Sequence, residues 1–220
     1  MLTIGKITED IINRSPFLRE AITEELINIS ALARTLKPEI EELMKKEVKE
    51  GAIVMAIKRM SPGSYHKINM KIRHMMGELG DFLVRSDLED YTYQNSDNLK
   101  NKQIELMRKL SEKQDTFFTV CHGVTETTYI TSSVAAPLFK EIFAGESLRA
   151  HIANLASVTI KLPTTNKDIS GVYYYILKHL AWEGINIVEI VSTANEFSII
   201  VDTNDIDLTF SVLMRLKKGI

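Results

Sequence analysis

The adjacent side chains Cys121 and His122 are the pair in this sequence that most resembles a catalytic nucleophile with its base. A histidine activates a cysteine only when its imidazole lies within hydrogen-bond reach of the sulfur. The surrounding residues predict a β-strand, and successive side chains of a strand point to opposite faces of the sheet. We therefore expect no nucleophile here, but a buried thiol beside a histidine at a turn.

Histidines and glycines elsewhere in the chain do not form a recognised metal-binding or phosphate-binding motif. The five histidines are scattered, and His66 and His74, which would share one face of a predicted helix, supply only two metal ligands. The sequence contains neither a GxxxxGK phosphate loop nor a His-Glu-x-x-His zinc motif. We therefore predict that the protein is not an enzyme and that it binds no metal and no cofactor.

The composition is that of an ordinary globular protein. Of 220 residues, 45% are hydrophobic and 25% are charged, and the formal net charge is −2, which gives the whole molecule no strong attraction to nucleic acid or acidic lipid. The single cysteine cannot form an internal disulfide, and no run of about 18 apolar residues could span a membrane. With no signal-peptide pattern at its start, the sequence predicts a cytoplasmic protein without a membrane partner.

Residues 1–80 have a helical pattern and are expected to form a separate domain. Pro16 marks one helix start, and Ser30 is the expected N-cap of a later helix. Lys37 should end that helix, because a residue that precedes proline avoids the α conformation, and Pro38 should open the next one. This arrangement of two short helices resembles a helix-turn-helix.

The charge of the helix expected from Pro38 to Glu50 argues against contact with DNA. The segment holds five acidic residues and three lysines, whereas helices that read DNA are normally rich in basic and amide side chains. Residues 1–80 hold 13 Lys and Arg against 11 Asp and Glu, which gives a weak attraction for phosphate. We expect a docking or dimerisation module, with DNA binding as the alternative.

Beyond residue 80 the pattern alternates between strands and helices, and the same order occurs twice. Residues 81–150 and residues 151–220 each have the order strand, helix, strand, strand, helix. The expected elements are a strand at 88–94, a helix at 97–113, strands at 115–122 and 125–132 and a helix at 137–143, then a strand at 157–162, a helix at 168–182, strands at 185–192 and 197–202 and a helix at 205–217. Residues 65–83, which precede them, are expected to form a helix or a mixture of helix and strand.

A single constant offset in residue number relates the two copies. The eight apolar positions that match across it without a gap are Leu99 with Ile169, Leu106 with Ile176, Leu110 with Leu180, Phe118 with Val188, Val120 with Ile190, Ile130 with Ile200, Leu138 with Leu208 and Ile142 with Val212. We interpret the match as a duplicated unit, each copy a small antiparallel sheet with two helices on one face, which is the ferredoxin-like βαββαβ arrangement. The predicted fold class is α+β, with a helical, helix-turn-helix-like N-terminal domain followed by two such units.

The second copy contains four segments with a distinctive order. The order is a strand, a helix that starts with Gly-Val, a strand that starts with Gly-Ile-Asn-Ile, and a hydrophobic hairpin strand. They are Ser157–Ile160, Ile169–Val172, Gly184–Ser192 and Phe197–Asp202. In this order they resemble the ACT domain, a ligand-binding module of amino-acid metabolism, and most closely the tandem ACT regulatory tail of aspartokinases. The resemblance is good over 155–217 and weaker over 84–145, it does not extend to residues 1–80, and no segment could hold the kinase domain.

The resemblance implies a site for an amino acid between the first loop of one ACT unit and a strand of its neighbour. The residues it implies are Asn166, Asp168, Ser170, Gly171 and Val172 of the loop and helix start and Asn186 and Ile187 of the strand. The N-terminus of the helix could bind the carboxylate of the ligand, and Asp168 could pair with its ammonium. Asp168 could instead be the N-cap of the helix, Asn166 could form a turn, and Asn186 could bond a loop backbone.

The first copy departs from this pattern, since Asn101 stands where the second copy has Gly171, and Thr116 stands where it has Asn186. We therefore expect the second copy to bind the ligand. The consecutive tyrosines 173–175 spread around the helix, so at least one should be exposed. It would serve as a subunit contact, as a ligand lid or as part of ordinary packing.

These observations together predict a non-catalytic regulatory protein that senses a small ligand, an amino acid, at an ACT–ACT interface. We expect a homodimer or a larger homo-oligomer through pairing of the sheets or helices of the ACT units, because open sheet edges invite pairing. The alternatives are an amino-acid-responsive DNA-binding transcription regulator and a structural module that binds no ligand.

Overall fold

A computed structural model of the protein describes residues 3–60, 63–112 and 116–219, without the side chains of residues 63–66. The chain divides into two units, Met1–Ile72 and Arg73–Ile220. The helices that begin in the first unit are α1 (Ile4–Asn13), α2 (Pro16–Thr23), α3 (Ile29–Met44), α4 (Glu50–Arg59) and α5 (Gly63–Gly77), which extends past the division.

The helices of the first unit bury apolar side chains in a common core. Ile7 and Ile11 of α1, Leu36 and Ile40 of α3 and Ile53 of α4 are all buried there. The two residues of each pair are spaced by four positions, which places both side chains on one face of the helix. The amphipathic spacing that predicts helices in the sequence therefore also builds the core of this unit.

α3 contradicts the helix-turn-helix prediction. It runs without interruption through Pro38, so no helix ends at Lys37 and none begins at the proline. Its N-cap is Asn28, whose Oδ1 accepts a hydrogen bond from the Ala31 amide at 3.0 Å, and not Ser30. Buried side chains flank the proline on the core face of α3, and their packing outweighs the local preference against a helix before proline. The helix-turn-helix prediction for this segment is therefore wrong.

The second unit is an α+β fold, the class that the sequence predicts. It is built on one six-stranded antiparallel sheet, whereas the sequence pattern predicts a separate small sheet in each copy. Its strands are β1 (Phe82–Gln94), β2 (Phe118–His122), β3 (Glu126–Ser132), β4 (Leu148–Lys161), β5 (Ile187–Ser192) and β6 (Glu196–Asp202). Its further helices are α6 (Leu99–Leu110), α7 (Ala136–Ile142), α8 (Val172–Trp182) and α9 (Ile206–Lys218). The strand order across the sheet is β2-β3-β1-β4-β6-β5, and the chain order strand, helix, strand, strand, helix occurs twice.

β1 and β4 are longer than the sequence pattern predicts. β1 begins at Phe82 rather than at residue 88, and β4 begins at Leu148 rather than at residue 157. The sheet has a first half, β1 to β3, and a second half, β4 to β6. β1 and β4 pair with each other along most of their length, so each strand continues beyond the part that pairs within its own half. Pairing between distant strands leaves no local periodicity, and for that reason the local pattern does not predict the extensions.

Residues 65–83 are a mixture of helix and strand, one of the two expected alternatives, since α5 ends at Gly77 and β1 begins at Phe82. The expected helix end at residue 113 and strand start at residue 115 lie outside the described residues.

The two halves of the sheet pair in corresponding registers. β2 pairs with β3 as β5 pairs with β6, and Thr119 corresponds to Glu189 across the same constant offset that relates the apolar positions. The first strands correspond at a shorter offset, since Thr92 and Thr159 both hydrogen-bond a hydroxyl of the neighbouring strand, at 2.8 and 2.7 Å. The second half therefore has a longer connection between its first strand and its first helix than the first half has.

Aromatic rings fill the core between the helices and the sheet in the first half. The Tyr91 ring stacks on Phe139 with their centroids 4.3 Å apart, and Tyr129, which is fully buried, meets Phe139 edge to face at 5.7 Å. A separate buried cluster takes residues from both halves, namely Leu88, Ile130, Leu155 and Ile200. Among the described residues, none of the helices combines the length and the apolarity that crossing a bilayer requires.

Candidate functional site

The loop between β4 and α8 turns sharply at Gly171. After β4 ends at Lys161, a short 3₁₀ turn at Thr164–Asp168 follows. Gly171 then adopts a φ of +85°, a left-handed conformation that costs other L-residues roughly 1–2 kcal/mol, and α8 begins at Val172. Glycine is the residue type that enters this conformation without strain, so it allows the chain to start the helix here.

Asp168 is not the N-cap of α8, and the predicted helix start at this residue is wrong. Asp168 ends the 3₁₀ turn, and its side chain is exposed. The left-handed Gly171 separates that turn from α8, and as N-cap residue it provides no side chain to accept a hydrogen bond. The first turn of α8 therefore has no side-chain cap, whereas Ser96 Oγ accepts the Leu99 amide at the start of α6 at 3.2 Å.

A cavity of about 410 Å³ opens at this uncapped helix end. Its walls come from the loop after β4, the first turn of α8 and the turn between β5 and β6. The lining residues are Asn166, Lys167, Ile169, Gly171, Val172, Tyr173, Tyr174, Thr193 and Ala194. Of these, Val172 is buried and the others are partly or fully exposed, so the cavity is open to a ligand from solvent.

Two hydrogen bonds and one ring stack join the walls of the cavity. Asn166 Nδ2 donates to the carbonyl oxygen of Ala194 at 2.9 Å, which ties the loop to the turn between β5 and β6. The Tyr173 hydroxyl hydrogen-bonds Ser192 Oγ at 2.9 Å, and its ring stacks on Phe197 with centroids 4.7 Å apart. These contacts hold the first turn of α8 against the edge strand β5 and its neighbour β6.

The residues that the ACT resemblance implies for the loop fall into two groups. Asn166, Gly171 and Val172 line the cavity. Asp168 and Ser170 belong to the same loop, but they are not among the lining residues. The cavity wall therefore contains the amide of Asn166, the turn at Gly171 and the apolar side chain of Val172. It does not contain the carboxylate of Asp168.

The two strand residues that the resemblance implies lie elsewhere in the domain. Ile187 is the first residue of β5 and Ser192 is the last, which corresponds to a separation of about 16 Å along the strand. The cavity lies beside the Ser192 end, where Thr193 lines it. Asn186 and Ile187 therefore do not line this cavity within one chain.

Comparison of the sequence with protein-family models and with characterised proteins finds no match. Several solved structures have a fold similar to part of this chain. The aspartate kinase of Clostridium acetobutylicum has a TM-score of 0.52 at 14% identity, over 63% of this chain and 34% of that chain. The regulatory subunit of aspartate kinase from Thermus thermophilus has a TM-score of 0.50 at 12% identity, over 63% and 97%. Aspartokinase III of E. coli, solved in complex with aspartate and ADP, has a TM-score of 0.50 at 14% identity, over 63% and 33%.

The likeness to a free-standing regulatory subunit, matched over almost its whole length, decides what the fold is. The α+β unit has the fold of an aspartate kinase regulatory domain. This is the fold that the sequence resemblance to ACT domains implies, and the described residues contain it without a kinase domain. The chain spans only about a third of the length of the two whole kinases.

The wall of the cavity contains six residues that the resemblance does not imply. They are Lys167, Ile169, Tyr173, Tyr174, Thr193 and Ala194. Tyr173 and Tyr174 are 43% and 53% exposed, which agrees with the expectation that at least one of the consecutive tyrosines is exposed. Their position in the first turn of a predicted helix could have identified the two tyrosines as candidates from the sequence. No local pattern predicts that the distant turn between β5 and β6 lies beside this loop.

Lys167 is the charged side chain that lines the cavity, and no aspartate or glutamate lines it. Within the part of the chain that the structure describes, Lys167 has no ion pair. The N-terminus of α8 adds partial positive charge, because the amides of the first helical turn have no partner within the helix. The lining is therefore electrostatically suited to an anionic group.

The Cys121–His122 pair lies away from this cavity and differs in part from the sequence-based expectation. Cys121 is exposed on β2, which is an edge strand of the sheet, so the expectation of a buried thiol is wrong. A strand at the edge leaves side chains accessible that a central strand would cover. His122 is the last residue of β2 and lies next to the turn, as expected, and its Nδ1 hydrogen-bonds Thr127 Oγ1 at 2.6 Å.

The histidines and acidic side chains that the structure describes do not form a metal site. Among these residues, no group of three or more His, Cys, Asp or Glu side chains could hold a metal ion. The side chain of His66 lies outside the described residues. His74 Nε2 lies 3.3 Å from Oε1 of Glu78, which directly follows α5, and this is an ordinary surface contact.

Proposed function

We propose that this protein is a non-catalytic regulatory protein that senses a small amino acid. The observation that carries the proposal is the cavity at the uncapped N-terminus of α8, in a domain with the fold of aspartate kinase regulatory domains. Open helix N-termini bind carboxylates, because their amides point outward and the helix dipole favours negative charge. A free amino acid supplies such a carboxylate.

The ligand would use each wall of the cavity for a different part of its structure. Its carboxylate accepts hydrogen bonds from the first-turn amides of α8. Its side chain packs on the apolar wall formed by Ile169 and Val172. The hydrogen bond from Asn166 to Ala194 keeps the loop and the opposite turn at the spacing that the ligand needs.

We also propose that the domain consists of two ACT units and that the second unit binds. The corresponding registers and hydroxyl pairs in the two halves of the sheet support the duplication. The first half has a shorter loop, and Ser96 caps the first amide of its helix α6. A capped amide is not available to a ligand carboxylate, so the longer loop of the second half is the one suited to binding.

The site would be completed by a second copy of the chain. Ile187 lies about 16 Å along β5 from Ser192, at whose end the cavity lies, and Asn186 directly precedes β5, outside the strand in which the sequence predicts it. These two residues would therefore reach a ligand that is bound by a neighbouring copy. β2 and β5 are the two edge strands of the sheet, and unpaired edges favour association. The proposal therefore includes a homo-oligomer that forms by pairing of sheets or helices of the ACT units.

Ligand binding would shift the protein between two arrangements. A ligand that contacts both copies binds one arrangement of the pair more tightly and raises its population by that difference in affinity. The helical unit, residues 1–72, would transmit the change to a partner. No bond in the amino acid needs to break, and the protein would act by its conformation alone.

A thermal-unfolding screen against the twenty amino acids tests the proposed function. An amino acid present at about 100 times its dissociation constant should stabilise the protein by about 2.7 kcal/mol. Ala194→Trp should fill the cavity and abolish the response. Val124→Trp is the matched control, because Val124 occupies the corresponding turn of the first half and is 99% exposed. If no amino acid stabilises the wild type, or if both variants respond alike, the proposal is wrong.

A further inference from the structure

The charges around the cavity at α8 restrict the kind of amino acid that fits it. Lys167 provides one full positive charge in the wall, and the uncapped helix end provides partial positive charge. None of the nine lining residues is acidic. A ligand with a cationic side chain would find no carboxylate in this wall with which to pair.

The nearest acidic side chain in the sequence does not change this balance. Asp168 follows Lys167 directly, but Asp168 is exposed and lies outside the cavity wall. Within the described residues Lys167 forms no ion pair, so its ammonium remains available to a ligand. Such a lysine pairs with a carboxylate more strongly than with a neutral amide.

We propose that the ligand is an acidic amino acid, aspartate or glutamate, and not a basic one. This inference rests on the proposed function and specifies its ligand. The α-carboxylate would bind at the first turn of α8, and the side-chain carboxylate would pair with Lys167. The wall has two positive groups, the Lys167 ammonium and the N-terminus of α8, and no negative one. A ligand with two carboxylates can pair one carboxylate with each positive group.

Calorimetric titration of the full chain with L-glutamate, L-glutamine and L-lysine tests the inference. Glutamate and glutamine have nearly the same shape, so their difference reports the side-chain charge. A charge-assisted hydrogen bond contributes roughly 1.5–3 kcal/mol, so glutamate should bind about tenfold to a hundredfold more tightly than glutamine, and lysine more weakly than both.

A pair of charge-reversal variants completes the test. Lys167→Glu should weaken glutamate binding at least about tenfold and remove its advantage over glutamine. Lys100→Glu is the matched control, because Lys100 is exposed in the first turn of α6, the corresponding helix of the first half. It should leave all three affinities unchanged.

The possible outcomes separate this inference from the proposed function. Tighter binding of lysine or glutamine than of glutamate overturns the inference and leaves amino-acid sensing intact. An unchanged glutamate affinity in Lys167→Glu also overturns it, since the side-chain carboxylate then has another partner. If none of the twenty amino acids binds the wild type, both proposals fail together.

Discussion

Asp90 on β1 is a carboxyl group that the fold removes almost entirely from solvent, with 3% of its surface exposed. Burial raises the pKa of Asp90 to about 6, a hydrogen bond from the Thr92 hydroxyl opposes this increase, and the nearby Glu189 carboxylate adds to it. The pKa in the folded state thus exceeds the value of about 4 expected in an unfolded chain. The proton on Asp90 therefore stabilises the folded state at low pH, and this stabilisation is lost as the pH rises through about 6.

We predict that Asp90→Asn stabilises the protein at pH 7.5 by roughly 2–3 kcal/mol and has little effect at pH 4. The amide is neutral at both pH values, and it can still accept the hydrogen bond from the Thr92 hydroxyl. Urea unfolding at the two pH values measures the difference. Asp87→Asn serves as the control, since Asp87 is exposed. An equal effect of Asp90→Asn at both pH values would contradict the account.

At the residue scale, the sequence predicts the part of the site that is local in the chain. Asn166, Gly171 and Val172 lie within one loop and helix start, and they line the cavity. Thr193 and Ala194 reach the cavity only because β5 and β6 fold back beside the loop. Asp168 is a reasonable N-cap by residue type, but the left-handed Gly171 moves the helix start to Val172.

The proposed site depends on the backbone conformation at the start of α8. We predict that Gly171→Ala lowers the free energy of unfolding by roughly 1–2 kcal/mol, because a Cβ is strained at a φ of +85°. Gly51→Ala, in α4, should be neutral or stabilising by up to about 1 kcal/mol, because its added Cβ meets no atom within 4 Å. Thermal unfolding of both variants measures the contrast. A smaller loss at Gly171 than at Gly51 would show that the left-handed turn is not required.

At the element scale, periodicity predicts the existence of most helices and strands but not their ends. The helices of the second unit are amphipathic, and their apolar faces can be recognised without the structure. The ends depend on contacts that a local window does not contain. Pro38 stays inside α3 because the core holds both sides of it, and β1 and β4 extend because each pairs with the other.

At the scale of the whole molecule, the pairing of β1 with both β3 and β4 determines which fragments can fold. We predict that residues 73–220 fold cooperatively when expressed alone, since this unit has its own buried clusters. Residues 98–220 should remain unfolded, because removing β1 exposes a central part of the sheet on two sides. Far-ultraviolet circular dichroism during heating distinguishes the two cases. Cooperative unfolding of the shorter fragment would contradict the observed sheet order.

The repeated order of strands and helices is the feature of the whole molecule that the sequence predicts best. The constant offset in the apolar pattern corresponds to the pairing of β2 with β3 and of β5 with β6. The first strands follow a shorter offset, from Thr92 to Thr159, which apolar matching alone does not detect. The additional residues of the second half lie before α8, where the longer loop forms one wall of the cavity.

Amide NMR spectra of the full chain, recorded with each of the twenty amino acids, show whether an amino acid binds at the start of α8. We expect at least one amino acid to shift the amide signals of Lys167, Gly171, Tyr173 and Thr193 while the corresponding signals of Lys100 and Val124 stay in place. Shifts confined to other parts of the chain, or no shifts with any of the twenty, would contradict this expectation.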